Sequence, residues 1–138
     1  MKALYVETSA ILAWLFGEAA IKDVIRAMNA AEVVVTSVLT IVEAERAIHR
    51  AVARRLIKEP SAHKLRGLLA QERSKWITMS LTTDVLTRAG RAFPVEPVRT
   101  LDAIHLATAL AFGEAFPDLT MLALDRRIRD NATSLGIA

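Results

Sequence analysis

Four short runs that favour extended backbone, at residues 2–6, 32–36, 76–79 and 119–124, recur along the chain with helix-forming segments between them. The runs are short and apolar, rich in Val, Leu, Ile and Thr, and so suit strands covered on both faces. Strands that alternate with helices cannot pair as tight hairpins. The helices act as crossovers, and the sheet they serve is largely parallel. With 138 residues there is room for one proper core and not for two ordinary domains, so residues 1–138 are read as a single α/β unit.

Local signals place the helices. The first strand stops at Glu7-Thr8-Ser9, where a hydroxyl is placed to cap a helix over residues 10–16, and Gly17 is placed to end it. A second helix is expected at about 18–30, and Ser37 should cap a long one over 38–58. Pro60 should break that helix, with Ser61 restarting one to about residue 75. The segment after Thr82-Thr83-Asp84 should be helical until Pro94, and Thr100 should cap a helix through Phe112, with Gly113 and Pro117 as punctuation. A short final helix follows Asp125. No linker, repeat or low-complexity stretch interrupts the pattern.

Composition excludes several chemistries. There are no cysteines, which removes disulfides, thiolate zinc sites and cysteine nucleophiles together. No apolar run reaches the ~18 residues of a membrane span, and the first apolar stretch meets Glu7 too early for a secretory segment. A soluble, cytoplasmic protein is the expectation. A formal charge of +3 and a pI near 9.7 suit an anionic partner without specifying one.

In an open parallel sheet, ligands gather beyond the carboxyl ends of the strands. Glu7 follows the first strand, Asp125 follows the last, and Asp102 opens a helix. Glu43 and Glu45 lie on the long third helix, separated by ~200° around its axis, so only one of them can face a common site. Carboxylates brought together repel one another, and a hard divalent cation, Mg²⁺ or Mn²⁺, offsets that cost with an all-oxygen ligand set. Such a centre activates water for attack on a phosphodiester. Each acid also has a plain structural role open to it: Asp102 complements a helix dipole, and Asp125 is a ready N-cap.

Arg46, Arg50 and Arg54 recur at four-residue spacing after Glu43, and Arg126, Arg127 and Arg129 flank Asp125. Either group can meet RNA phosphates or simply stay solvated, and solvation is the commoner fate. His105, three positions after Asp102, is read as a structural hydrogen-bonding group, and Tyr5, Trp14 and Phe16 as core or interface residues rather than stacking platforms.

The strings YVETSAILAWL (5–15), TSVLTIVEAERAIHR (36–50), TLDAIHLATAL (100–110) and LALDRRIRDNA (122–132) together resemble the PIN-domain ribonucleases, most closely the VapC-type toxins of toxin–antitoxin pairs. The resemblance implies a three-layer α/β/α fold, Mg²⁺- or Mn²⁺-dependent endoribonuclease activity, a small antitoxin partner and a homodimer. It assigns the metal-binding and catalytic acids to Glu7, Glu43, Asp102 and Asp125, choosing Glu43 over Glu45, and places Ser9 as the supporting hydroxyl. Members of the family typically carry Asp where this chain has Glu7. The extra methylene moves the carboxylate by ~1.5 Å, a displacement that can cost ~100-fold in a preorganised site. A weakened or inactive RNA-binding module, and a DNA-directed nuclease, are the alternatives. A phosphatase with an Asp nucleophile is disfavoured because no Asp-x-Asp pair follows the first strand.

Overall fold

The computed structural model describes residues 1–138 and has eleven elements: β1 (Ala3–Val6), α1 (Thr8–Leu15), α2 (Ile21–Ala30), β2 (Val33–Ser37), α3 (Val38–Ala53), α4 (Glu59–Arg73), β3 (Ile77–Met79), α5 (Thr83–Ala89), α6 (Thr100–Ala115), β4 (Thr120–Leu122) and α7 (Arg126–Ser134). The strands form one sheet in the order β3-β2-β1-β4. Every pairing is parallel, with Tyr5 beside Val35 on one side and Met121 on the other.

Side-chain alternation along β1 divides the core into two. Ala3 and Tyr5 face Leu106, Ala109, Phe112 and Ile128 of α6 and α7. Leu4 and Val6 face Ile11, Leu15, Ile41 and Ile48 of α1 and α3, with Leu69 and Trp76 beyond them. All four residues of β1 are buried. At ~25 cal/mol per Å² of apolar surface removed from water, this two-sided burial makes the central strand the main anchor of the α/β/α layers. No helix is long and apolar enough to cross a membrane.

Several expected boundaries move, for local physical reasons. The hydroxyls after β1 do not cap α1: the Glu7 carboxylate does, accepting from the Ser9 amide. Helix α2 begins at Ile21, later than expected. Helix α3 ends five residues short of Lys58, because Arg55 adopts φ 58° and Leu56 N–H donates back to the Ala51 carbonyl. That left-handed closure satisfies the last carbonyls of the helix. Gly17 does the same for α1 at φ 63° with far less strain. Pro60 does not break a helix but lies in the first turn of α4, where its missing N–H has no partner to lose. Thr100 is the first residue of α6 and not its cap, and Gly113 lies inside that helix, which runs to Ala115 before Pro117 stops it.

Candidate active site

The strand order reverses at β1: the chain adds β2 and β3 on one side and returns to place β4 on the other. A crevice opens at such a reversal, beyond the carboxyl ends of the two strands. Glu7 directly follows β1 and caps α1, Asp125 lies three residues beyond β4 and caps α7, and Asp102 lies in the first turn of α6. Glu43, on α3, lines a cavity of about 280 Å³ together with Arg99, Thr100, Leu101 and Asp102. Glu45 points away, exposed, 3.7 Å from Arg73. The helical choice left open by periodicity thus falls on Glu43.

Each acid is held differently. Glu7 is almost fully buried, and its Oε2 accepts from both the amide and the hydroxyl of Ser9. Ser9 in turn accepts from the Leu124 amide at 2.8 Å, tying the turn after β1 to the end of β4. Burial raises the Glu7 carboxyl above its usual range, against the lowering effect of His105 and the Ser9 hydrogen bonds. Glu43 behaves in the opposite way. Burial pushes its carboxyl up, but hydrogen bonds from His105 and Thr8, each 2.6 Å from Oε1, outweigh that and hold it below the usual range. Asp125 spends Oδ1 on capping α7, through the amides of Arg127 and Ile128. Asp102 pairs with Arg99.

His105 sits under this surface, completely buried. Its Nδ1 is 2.8 Å from the Tyr5 hydroxyl, and its Nε2 is 2.6 Å from Glu43 and 3.8 Å from Glu7. With Nε2 donating to Glu43 and Nδ1 accepting from Tyr5, both ring nitrogens are satisfied by one proton. The structural role expected of His105 is what its surroundings provide. Thr8 and the Tyr5 hydroxyl belong to the same network, though neither stood out in the sequence. Arg99 did not either. Its only signal was a cation three residues before Asp102 at the start of a helix.

The basic residues singled out in the sequence are exposed. Arg46 and Arg50 are exposed along α3, and Arg54 has passed into its C-cap. Arg50 still lowers the Glu43 pKa through its charge. Arg126 is exposed, 3.9 Å from Asp130. Trp14 and Phe16 pack, partly buried, against the α1 side of the core.

The donor set is all carboxylate oxygen, the chemistry of a hard divalent cation. Glu7 Oε1, Glu43 Oε2 and Asp102 Oδ1 are left outside the hydrogen bonds just described. As placed, no three of these side chains form a ready metal cage. The residues suit such an ion in kind, and their carboxylates must draw together to hold it.

Glu7 links the site to stability. A carboxyl with a raised folded pKa contributes stability below its unfolded value, which is lost as pH rises through the folded value. In chelator at neutral pH, Glu7→Gln should therefore melt a few degrees higher than the native chain, and the gain should shrink as pH falls toward the unfolded value near 4.5. Thermal melts between pH 4 and pH 8 would check this, and a gain that grew on acidification would refute it.

A family model described as PIN domain matches residues 4–133. Ribonuclease VapC35 of Mycobacterium tuberculosis, in two strains, is 37% identical over 54 residues, which are 39% of this chain and 40% of that protein. The match therefore spans well under half of that relative's length. The crystal structure of Mycobacterium tuberculosis VapC20, titled a Sarcin-Ricin loop cleaving toxin, has a TM-score of 0.66 at 18% identity, covering 98% of this chain and 96% of that one. At that identity the likeness is one of fold.

Proposed function

Because the chain belongs to the PIN-domain family, we propose that it is a Mg²⁺- or Mn²⁺-dependent endoribonuclease, the toxin of a toxin–antitoxin pair. The observation that carries this reading is the chain of contacts joining the four acids: Arg99 pairs with both Asp102 and Asp125, Glu43 shares a cavity with Asp102, and His105 lies against both Glu43 and Glu7. The partial match to a protein named a ribonuclease, and the fold shared with one titled a toxin, support the choice of RNA as substrate and of a small antitoxin as partner. Self-association into a homodimer, and residues 1–138 acting as one PIN-like domain, belong to the same proposal.

When bound, the cation lowers the pKa of a coordinated water and neutralises charge on the phosphodiester. This chain's residues supply the rest. Asp102, Asp125 and Glu43 present carboxylate oxygens at the cleft, and Glu7 does so from the buried side. Ser9 fixes the rotamer of Glu7, while His105 and Thr8 fix that of Glu43. Holding one oxygen of each glutamate by hydrogen bonds leaves the other to point in a set direction. The exposed Arg46, Arg50 and Arg126 offer cations to the phosphates of an extended strand.

Glu7 is the weak point of this arrangement, since its longer side chain is drawn back onto Ser9. Incubating the chain with RNA and DNA panels in Mg²⁺, Mn²⁺ or chelator, beside Glu7→Asp, tests the reading. Cleavage confined to RNA and to the metal-containing samples is expected, with Glu7→Asp faster by about 10- to 100-fold. RNA binding without cleavage in either protein would replace the enzyme with a binding module. Cleavage of DNA instead would move the substrate class.

A further inference from the structure

Among the four acids, the only Lys or Arg ion pairs are those made by Arg99. Its Nε lies 3.1 Å from Asp102 Oδ2 and its Nη2 lies 3.7 Å from Asp125 Oδ2. The guanidinium thus spans the carboxylates of α6 and of the segment that follows β4. Resting on the metal-dependent reading, we infer that Arg99 is a built-in counter-cation, which neutralises the acidic cleft when no metal is bound and must swing out before a divalent ion can take Asp102 and Asp125.

The geometry makes Arg99 the movable partner. Its side chain is 66% exposed, whereas those of Asp102 and Asp125 are 14% and 35% exposed. The only hydrogen bond of its side chain is to Asp102. Its backbone is fixed, because its carbonyl accepts from the Ala103 amide to begin α6. Departure therefore needs rotation about side-chain bonds alone and leaves the helix undisturbed. A planar fork of donors matches carboxylate pairs well, and it matches phosphate oxygens equally well once displaced.

A tethered competitor lowers apparent affinity by the fraction of molecules in which it has left the site. Exposed ion pairs are individually weak, so the penalty on cation binding should be modest, about three- to tenfold.

The test is titration of the full-length chain with Mn²⁺, free Mn²⁺ being followed by electron paramagnetic resonance. The native protein would be compared with Arg99→Gln, Arg99→Lys and Arg127→Gln, the last removing an equal charge that makes no ion pair with the site acids. Arg99→Gln should bind Mn²⁺ about three- to tenfold more tightly, Arg99→Lys should fall between, and Arg127→Gln should stay within about twofold of native. Thermal melts provide a second readout. In chelator Arg99→Gln should melt below native, and saturating Mn²⁺ should raise its melting temperature by more than it raises the native one. Equal Mn²⁺ affinity for native and Arg99→Gln overturns the inference while leaving the metal-dependent reading in place. A shift as large in Arg127→Gln overturns it in favour of diffuse electrostatics. Absence of Mn²⁺ binding in both native and Arg99→Gln overturns the inference and the metal-dependent reading together.

Discussion

Replacing Asp102 with Asn is expected to reduce metal-dependent RNA cleavage by at least ~100-fold while leaving the fold intact. The two side chains have the same shape, so the first turn of α6 and the cavity beside Glu43 keep their packing. What changes is charge. An amide oxygen is a poor substitute for a carboxylate on a hard cation, and it no longer balances the neighbouring arginine. Loss of a negative charge from a helix N-terminus costs only about 0.3–1 kcal/mol. Activity and stability should therefore separate sharply. Initial cleavage rates in Mg²⁺ or Mn²⁺, measured beside a thermal melt, would show it. Native rates in Asp102→Asn would remove this cleft from the reaction.

His105→Ala is the substitution expected to do most damage to folding. The imidazole is fully buried between the Tyr5 hydroxyl and the Glu43 carboxylate, and its ring meets that of Tyr5 edge to face at 6.1 Å between centroids. Truncation opens a cavity and strands a buried phenol whose deprotonation burial already disfavours strongly. Together these should cost about 3–4 kcal/mol and lower the melting temperature by roughly 10–15 °C in a chain of this length. Glu43 loses its strongest favourable partner, so its pKa should climb back from below the usual range. Tyr5→Phe separates these effects. It keeps the ring and forfeits one hydrogen bond, worth about 1 kcal/mol. A loss below about 1 kcal/mol for His105→Ala would mean that the network contributes little to folding.

Much of the architecture was legible in the order of residues. Short β-branched runs between helices specify a parallel sheet, and all four strands appear where those runs lie. Gly17 and Ser37 carried their roles openly, one through a positive φ and the other through a side-chain cap. Helix ends were harder. Arg55 closes α3 in a conformation that its residue type disfavours, and Pro60 opens a helix where it was expected to interrupt one.

For the acids, sequence by itself determined which residues end strands or begin helices, and so put Glu7, Asp102 and Asp125 at one edge of the sheet. Only the tertiary structure decided what each carboxylate touches. The groups that hold the site lie far apart along the chain: His105 is 62 residues from Glu43, and Leu124, which donates to the Ser9 hydroxyl that holds Glu7, is 115 from Ser9. Periodicity is a short-range signal that fixes which face of an element a residue occupies, and it cannot reach across such separations. Burial raises Glu7, hydrogen bonds lower Glu43, and an arginine joins Asp102 to Asp125. Those differences arise because desolvation and charge pairing depend on the three-dimensional surroundings of a group and not on its identity.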